Sequence, residues 1–362
     1  MKWRKLGAVC MAALMAAGLL AGCGSTEGGS SQSSQTSESG STAGSSSADT
    51  SGSSAGNTAS DTVYQIGVLQ LVQHDALDLA NQGFFKALDD LGIQYEADQQ
   101  NASGEQSNCQ TIAAGFVNDG VDMIFAIGTQ AAQSAAGATS DIPIVLTAVT
   151  DPESSGLVES NDAPGGNVTG TSDMNPVTEQ IALVKQLAPE AQTVGILYNS
   201  AESNSEIQAA MAEEACAAEG LSSERLTISS TNEIQSVVSA AAGKVDVIYA
   251  PTDNMIASTM ATVAMVANEN GIPTIVGEPG MVQNGGLATY GIDYEMLGYQ
   301  AGEMAAKILT GESSPADMPI EYQDASRCVF QVNVDTAEAL GIDVSGLDAE
   351  QVHTAGNADT AE

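Results

Sequence analysis

Basic side chains are scarce in this sequence, and their scarcity limits what the protein can bind. The 362 residues include nine Lys and Arg against 46 Asp and Glu, so the formal net charge is −37 at pH 7. Three of the bases fall within the first five residues, where no acid occurs. Such an acidic surface would repel the phosphate backbone of a nucleic acid and anionic lipid headgroups. We therefore expect no nucleic-acid partner.

Histidine and cysteine are also rare, which argues against a metal centre or a catalytic apparatus. The sequence has two histidines, His74 and His353, and neither HExxH nor CxxC spacing occurs. Of its five cysteines, three lie beyond the first 23 residues and are too widely spaced for a disulfide framework. These three, which we expect to be buried and unpaired, are Cys109, Cys216 and Cys328. We predict no cofactor, no metal and no enzymatic activity.

The N-terminal segment has the layout of an export signal. A basic start is followed by an apolar run at residues 6–20 that is too short for a permanent membrane span, and then by Ala21-Gly22-Cys23. This arrangement resembles bacterial lipoprotein signals, in which the residue matching Cys23 receives lipid and becomes the new N-terminus. The resemblance implies a signal peptide at 1–22 and a lipid anchor at Cys23, whereas an uncut short anchor is the alternative.

Residues 23–60 are predicted to form a flexible linker. The segment is mostly Ser, Gly and Thr and has no large apolar side chain after Cys23, so it cannot bury enough surface to offset its ordering entropy. A chain of this length would let a globular body move above a membrane.

From residue 62 onward, short β-branched runs alternate with helical periodicity. This pattern is typical of parallel sheets covered by helices on both faces, and about 300 residues exceed one such core, so two sheets are expected. The predicted strands are 63–69, 93–97, 123–127, 142–146, 194–198, 222–228, 245–250 and 274–276. The predicted helices are 75–91, 105–117, 130–138, 177–187, 205–219, 232–242 and 254–270.

Polar side chains follow most of the predicted strands. Ligands bind beyond the carboxyl ends of strands in open parallel sheets, so these residues are candidates for a binding site, although capping of the following helix is the alternative for each. The candidates in the first half are Gln73, His74, Asp75, Thr129, Gln130, Thr147, Thr150, Asp151, Ser172 and Asp173. Those in the second half are Tyr198, Asn199, Thr252, Asp253, Asn254, Glu278, Tyr290 and Asp293.

Several of these residues lie in segments that carry a family resemblance. The segments are QHDALD at 73–78, TAVTDP at 147–152, NVTG and SDM within 167–174, YAPTDN at 249–254 and LATYGIDY at 287–294. They resemble the solute-binding lipoproteins of ABC uptake transporters, specifically the tryptophan/tyrosine-type group. The resemblance implies a two-lobed periplasmic-binding-protein-like α/β fold of type I, with the ligand clamped between the lobes.

The resemblance also implies how the chain is divided. It places the N-terminal lobe at 61–172 and 293–323, the C-terminal lobe at 173–292 and 324–350, and a polar tail at 351–362. The crossings between lobes are expected near 172–175, 290–293 and 323–328.

The strand ends contain no Lys or Arg, which narrows how a ligand could be held. A ligand carboxylate would need backbone N–H groups at helix starts, helped by the hydroxyls of Thr129, Thr150 and Ser172. A ligand ammonium could meet an acid, and a flat ligand could stack on tyrosine, although packing against a helix is an equal alternative for Tyr249 and Tyr290. The candidate acids are Asp253, Asp293 and Glu278, and the candidate tyrosines are Tyr198, Tyr249, Tyr290 and Tyr294.

Together, these features predict a monomeric, lipid-anchored receptor on the extracytoplasmic face of the cell membrane. It would capture a small molecule, with an aromatic or apolar amino acid as the expected class, and deliver it to an ABC permease. The alternatives are a ligand-sensing lipoprotein that is not coupled to transport and, more remotely, a lipid-anchored hydrolase.

Overall fold

The computed structural model describes residues 62–353. The predicted signal peptide, Cys23, the linker and residues 354–362 lie outside this range. Among the described residues, no helix combines the length and apolar character needed to cross a bilayer.

Strands and helices alternate along the chain, as the sequence pattern predicts. The first part contains β1 (Val63–Gln70), α1 (Asp75–Asp90), β2 (Gln94–Asn101), α2 (Gln106–Asp119), β3 (Met123–Ile127), α3 (Thr129–Ala138), β4 (Ile144–Val149) and β5 (Val168–Ser172). The middle contains α4 (Val177–Leu187), β6 (Thr193–Asn199), α5 (Ser203–Ala218), β7 (Ser222–Ile228), α6 (Ile234–Ala241), β8 (Val247–Ala250), α7 (Asn254–Ser258), α8 (Met260–Glu269), β9 (Thr274–Val276), α9 (Pro279–Gln283) and β10 (Ala288–Gly291). The last part contains α10 (Tyr294–Leu309), β11 (Glu321–Tyr322), β12 (Val329–Asn333), α11 (Val334–Leu340) and β13 (Glu350–Val352).

The strands form two sheets, each the centre of one lobe. The first lobe has the parallel order β11-β5-β4-β3-β1-β2, and the second has the order β13-β12-β10-β9-β8-β6-β7, in which the β10 and β12 pair is antiparallel. All residues of β3 and β4 are buried, because parallel strands at the centre of such a sheet are covered on both faces. The predicted two-lobed α/β fold is confirmed.

The chain passes between the two sheets in three connecting segments, residues 173–176, 292–293 and 323–328. The division of the chain into lobes, residue by residue, stays a prediction. Strand β13 pairs with β12 through the register Gln331 to Glu350, so residues 351 and 352 belong to the second sheet although the sequence had assigned them to the polar tail.

Helices α1 and α10 pack against each other at very short range in the first lobe. A Cβ atom added at Gly298 would lie 1.9 Å from the carbonyl oxygen of Ala80, and one added at Gly83 would lie 1.9 Å from that of Glu295. The two helices therefore meet backbone to backbone. Since α1 begins at the end of β1 and α10 begins after the second connecting segment, this contact fixes both helix starts relative to each other.

Two local predictions were wrong. The predicted helix 75–91 included Leu91, but α1 ends before this residue, and the Leu91 side chain is half exposed. The predicted helix 254–270 is broken into α7 and α8, because Thr259 leaves the helical conformation and its hydroxyl donates to the carbonyl of Met255 at 2.7 Å. A β-branched residue whose hydroxyl can bond to the preceding turn favours such a break.

Candidate functional site

The carboxyl ends of the two sheets face each other across a cleft, and side-chain hydrogen bonds join its walls. Each bond pairs an amide or ring nitrogen with an oxygen on the opposite lobe, at 2.7 to 3.3 Å. The pairs are His74 Nε2 with Asn254 Oδ1, Gln130 Nε2 with the Ala201 carbonyl, Gln208 Nε2 with Thr150 Oγ1, and Asn284 Nδ2 with Asp75 Oδ2. The lobes are therefore in contact, and the cleft is closed.

Two buried acids, which we call the hinge acids, lie where the connecting segments meet the cleft. They are Asp173, in the first connecting segment, and Glu278, which precedes α9. The hydroxyl of Tyr294 donates to Asp173 Oδ2 at 2.9 Å, whereas the buried Asp173 Oδ1 has no partner. Glu278 accepts a hydrogen bond from the backbone N–H of Gly280 at 2.6 Å. Within residues 62–353, no Lys or Arg forms an ion pair with either acid.

Burial without a cationic partner raises the pKa of both hinge acids. Burial raises the pKa of Asp173 to about 6, against the opposing effect of the Tyr294 hydrogen bond. Burial raises the pKa of Glu278 to about 8, and the charges of Asp75 and Asp173 add to the rise. A positive group placed between these carboxylates would therefore be strongly attracted to them.

A second pair of buried acids organises the wall of the second lobe. Asp253 caps α7 by accepting from the N–H of Ile256 at 2.9 Å, and it also accepts from the N–H of Asn199 at 2.7 Å. Glu202 accepts from Asn254 Nδ2 at 2.7 Å. Burial, and then the charge of Glu202, raises the pKa of Asp253 to about 7. Both oxygens of Asp253 accept backbone N–H groups, whereas Asp173 Oδ1 has no partner, so the hinge acids are better placed than Asp253 to meet a ligand.

Hydroxyl and amide groups complete the first connecting segment. Ser172 donates to the Thr150 carbonyl at 2.7 Å, and Asn175 donates to Thr252 Oγ1 at 3.1 Å. Thr129 is buried at the start of α3. Thr147 lies deeper, with its Oγ1 2.9 Å from that of Thr171 within the first sheet.

Six candidate residues from the sequence lie away from the cleft's contacts or serve other groups. Asp151 accepts from Ser154 and Asn161 in its own loop, and Gln73 is exposed beside Asp78. Asp293 is exposed and caps α10 through the N–H of Met296. The Tyr290 carbonyl accepts from Gln180, and the hydroxyl of Tyr198 donates to Glu206 and accepts from Arg225. Tyr249 is buried, and its hydroxyl donates to Gln180. A ligand contact by any of these side chains stays a prediction.

Several residues of the cleft were not among the candidates from the sequence. They are Asn175, Glu202, Asn204, Gln208 and Asn284. Glu202 follows the predicted strand-end residue Asn199 in the same loop, so its position was a usable signal. Gln208 and Asn284 lie within or after helices, where polar residues are ordinary, and the sequence gave no signal for them.

The end of β4 has a distorted backbone at the cleft. Its pairing with β5 shifts register between Leu146 and Val149, and Ala148 has a φ of 53°, a left-handed conformation that is rare outside glycine. Opposite the shift, a Cβ at Gly170 would lie 2.0 Å from the Leu146 carbonyl oxygen. The bulge turns the residues after β4 towards the second lobe, where Thr150 meets Gln208.

At its outer edge, on the side of β2 and β7, the cleft keeps a cavity of about 520 Å³. Both lobes line it, and the lining includes Leu71, Gly104, Gln130, Glu202, Thr231 and Asn254. This volume is within the range of small-molecule sites. The cleft is thus a polar, two-walled site with buried acids near the hinge and an opening at the far edge.

This arrangement is typical of a clamp for a small ligand, and comparison with known proteins identifies its family. A profile of the family described as ABC transporter substrate binding protein matches residues 65–351. The chain belongs to this family. It is accordingly an extracytoplasmic substrate-binding component of an ABC transporter.

Three relatives are informative. A "Tyrosine-binding protein" of Clostridioides difficile is 45% identical over 291 residues, which cover 79% of this chain and 83% of the relative. An ABC domain in complex with L-Trp from Streptococcus pneumonia is 38% identical with a TM-score of 0.77, covering 80% of this chain and 100% of that one. A ligand-free, open substrate binding protein with adhesive properties from Clostridium difficile is 43% identical with a TM-score of 0.63, covering 81% and 100%.

Proposed function

We propose that this protein captures tryptophan or tyrosine outside the cytoplasm and delivers it to an ABC permease. The observation that carries the proposal is the pair of hinge acids, Asp173 and Glu278, which are buried in the closed cleft without a cation. The α-ammonium of an amino acid would neutralise them. The loss of charge repulsion on binding would favour the closed form.

The same cleft suits a single carboxylate and not a dianion. The described residues include six Lys and Arg, and the ion pairs of these bases lie within single lobes, as for Arg225 with Glu213. The ligand carboxylate would be held by backbone N–H groups at the start of α3, with the hydroxyls of Thr129 and Thr150. Phosphates and dicarboxylates would keep an excess charge that nothing in this arrangement compensates.

The relatives support an aromatic amino acid as the ligand and a closing motion of the two lobes. One is named for tyrosine and another was crystallised with L-Trp. The chain overlays better on the L-Trp complex than on the open, ligand-free relative, with TM-scores of 0.77 and 0.63, although its identity to the open protein is higher. The higher TM-score with the L-Trp complex is expected if the two lobes of this structure have the relative position of the ligand-bound, closed form.

Calorimetry with a panel of ligands tests the proposal. Tryptophan, tyrosine and phenylalanine should be compared with leucine, ribose and a purine nucleoside, using residues 62–353. We expect tight binding of at least one aromatic amino acid and none of the sugar or nucleoside. Tight binding of ribose or the nucleoside, without any aromatic amino acid, would contradict the assignment. The single tryptophan, Trp3, lies in the predicted signal, so bound tryptophan can also be followed by its own emission.

We further propose that the mature protein is a monomer tethered to the cell membrane by lipid on Cys23. The lipoprotein-type signal and the Ser/Gly-rich linker support this anchoring. The substitution Cys23→Ala is expected to release the protein from membranes without changing the thermal unfolding of residues 62–353. Cell fractionation checks the release, and a variant that stays tightly membrane-bound would remove the anchor claim.

A further inference from the structure

The imidazole of His74 is a feature of the closed cleft that the proposed ammonium and carboxylate contacts leave unused. His74 follows β1 at the edge of the cleft, and its Nε2 lies 3.3 Å from Asn254 Oδ1 on the opposite lobe. Its Nδ1 is buried and has no hydrogen-bond partner in the protein. A buried polar atom without a partner destabilises the closed form unless a ligand supplies one.

The surroundings of the ring decide which nitrogen carries the hydrogen. Asn254 Nδ2 donates to Glu202 Oε2 at 2.7 Å, so the amide must turn its oxygen towards His74. Glu202 is held in place as an acceptor by the backbone N–H groups of Asn254 and Met255. Nε2 is therefore the donor in the contact with Asn254, and Nδ1 of the neutral ring is an acceptor.

The neutral form of the ring is the one that burial favours. Burial lowers the pKa of His74, against the hydrogen bond that His74 donates to Asn254 and the charges of Glu202, Asp78 and Asp75. At neutral pH the buried acceptors without protein partners around the closed cleft thus include His74 Nδ1 and Asp173 Oδ1. A ligand that donates a hydrogen bond to both of these acceptors needs a second donor besides its ammonium.

Tryptophan and tyrosine each have such a donor, and phenylalanine has none. Each donor is carried by the ring system of the ligand: the indole N–H lies on the five-membered ring of tryptophan, and the phenol O–H lies at the end of the tyrosine ring away from the α-carbon. We propose that His74 Nδ1 accepts the hydrogen bond of this ring-borne donor, and that His74 thereby selects tryptophan and tyrosine against phenylalanine. The inference rests on the proposed function, since it presumes an aromatic amino acid in the cleft.

The expected discrimination follows from the cost of leaving a buried acceptor unpaired. Tyrosine should bind about tenfold to a hundredfold more tightly than phenylalanine, and tryptophan more tightly than 1-methyltryptophan by a similar factor. The comparison of tyrosine with phenylalanine adds no bulk to the ligand. It therefore separates a lost hydrogen bond from a steric clash.

The test is calorimetry with tyrosine, phenylalanine, tryptophan and 1-methyltryptophan on the wild type and on His74→Phe and His74→Gln. In His74→Phe, tyrosine should bind no more than about threefold more tightly than phenylalanine. In His74→Gln, the amide oxygen can accept a hydrogen bond and should restore part of the preference for tyrosine. Gln130→Ala is the matched control, because it removes another contact between the lobes, to the Ala201 carbonyl, and should weaken all ligands alike.

The outcomes separate the two claims. Equal affinity for tyrosine and phenylalanine in the wild type, or a ratio that survives in His74→Phe, would overturn the role of His74 while leaving the proposed function standing. Failure of every aromatic amino acid to bind the wild type would overturn the proposed function and this inference with it. The wild-type ratio needs no variant, so it decides the question even if His74→Phe does not fold.

Discussion

Replacing Glu278 with glutamine is expected to weaken amino-acid binding by about a hundredfold or more while making the ligand-free protein more stable at pH 8. The ligand ammonium loses a buried carboxylate partner, a change that typically costs 3 kcal/mol or so. In the free protein the same substitution removes a buried charge that no cation balances, and glutamine can still accept from the N–H of Gly280. The gain in the free energy of unfolding should be about 1 to 3 kcal/mol.

The pH dependence of stability and of ligand binding follows from the direction in which the pKa values of the two hinge acids are shifted. The pKa of Glu278 is raised to about 8 and that of Asp173 to about 6, so between pH 4 and pH 8 the folded form binds more protons than the unfolded chain. The stability of the free protein should therefore fall as the pH rises through this range. Ligand binding requires the ionised acids, so affinity should increase from pH 5 to pH 7.5, with release of protons.

Two measurements check this prediction. Thermal unfolding of the free protein between pH 5 and pH 8 reports stability, and calorimetry in buffers of different ionisation enthalpy counts the released protons. Glu96→Gln is the matched control, because Glu96 is exposed on β2. Asp173→Asn should also weaken binding. If Glu278→Gln changed neither affinity nor the pH dependence of stability, the hinge acids would not be the ammonium site.

The substitution Gly298→Ala is expected to destabilise the protein by about 4 kcal/mol or to prevent folding. The added methyl group would lie 1.9 Å from the Ala80 carbonyl oxygen, and backbone cannot yield as a flexible side chain can. Helices α1 and α10 would have to separate, which would open the core of the first lobe. Urea unfolding of purified variants measures the change.

Gly137→Ala is the control for this prediction. Gly137 is also helical, in α3, but a Cβ there would have no atom within 4 Å. Alanine should stabilise the protein by about 0.5 to 1 kcal/mol, because it restricts the unfolded chain and favours the helix. Similar effects of the two substitutions would mean that the contact between α1 and α10 is looser than described.

The fold was largely predictable because it follows from local patterns. Buried strands such as β3 and helices such as α4 appear in the sequence as short apolar runs and as apolar residues at helical spacing. The break at Thr259 was not predictable in this way, since a threonine continues many helices and only its hydrogen bond to Met255 shows otherwise. The closed contacts between lobes also depend on residues far apart in the chain.

The candidate site was predictable as a region and much less so as a set of contacts. Asp253, Glu278 and Asp293 are all acids that precede helices, and the sequence offered no way to rank them. Exposure separates Asp293 from the other two, and Asp253 differs from Glu278 because both of its oxygens accept backbone N–H groups, from Ile256 and Asn199. The sequence likewise gave no sign that the Tyr198 hydroxyl accepts a hydrogen bond from Arg225 on the neighbouring strand.

The lack of an ion pair between the lobes, among the residues 62–353, has a consequence for a protein outside the cytoplasm. Every ion pair in this range lies within one lobe, and the hydrogen bonds between the lobes are donated by amide and ring nitrogens, with the carboxylate of Asp75 among the acceptors. Dissolved salt screens exposed charges strongly but affects such bonds and a buried ammonium contact much less. An extracytoplasmic receptor is exposed to the salinity of its surroundings, and we expect ligand binding by this clamp to depend little on ionic strength.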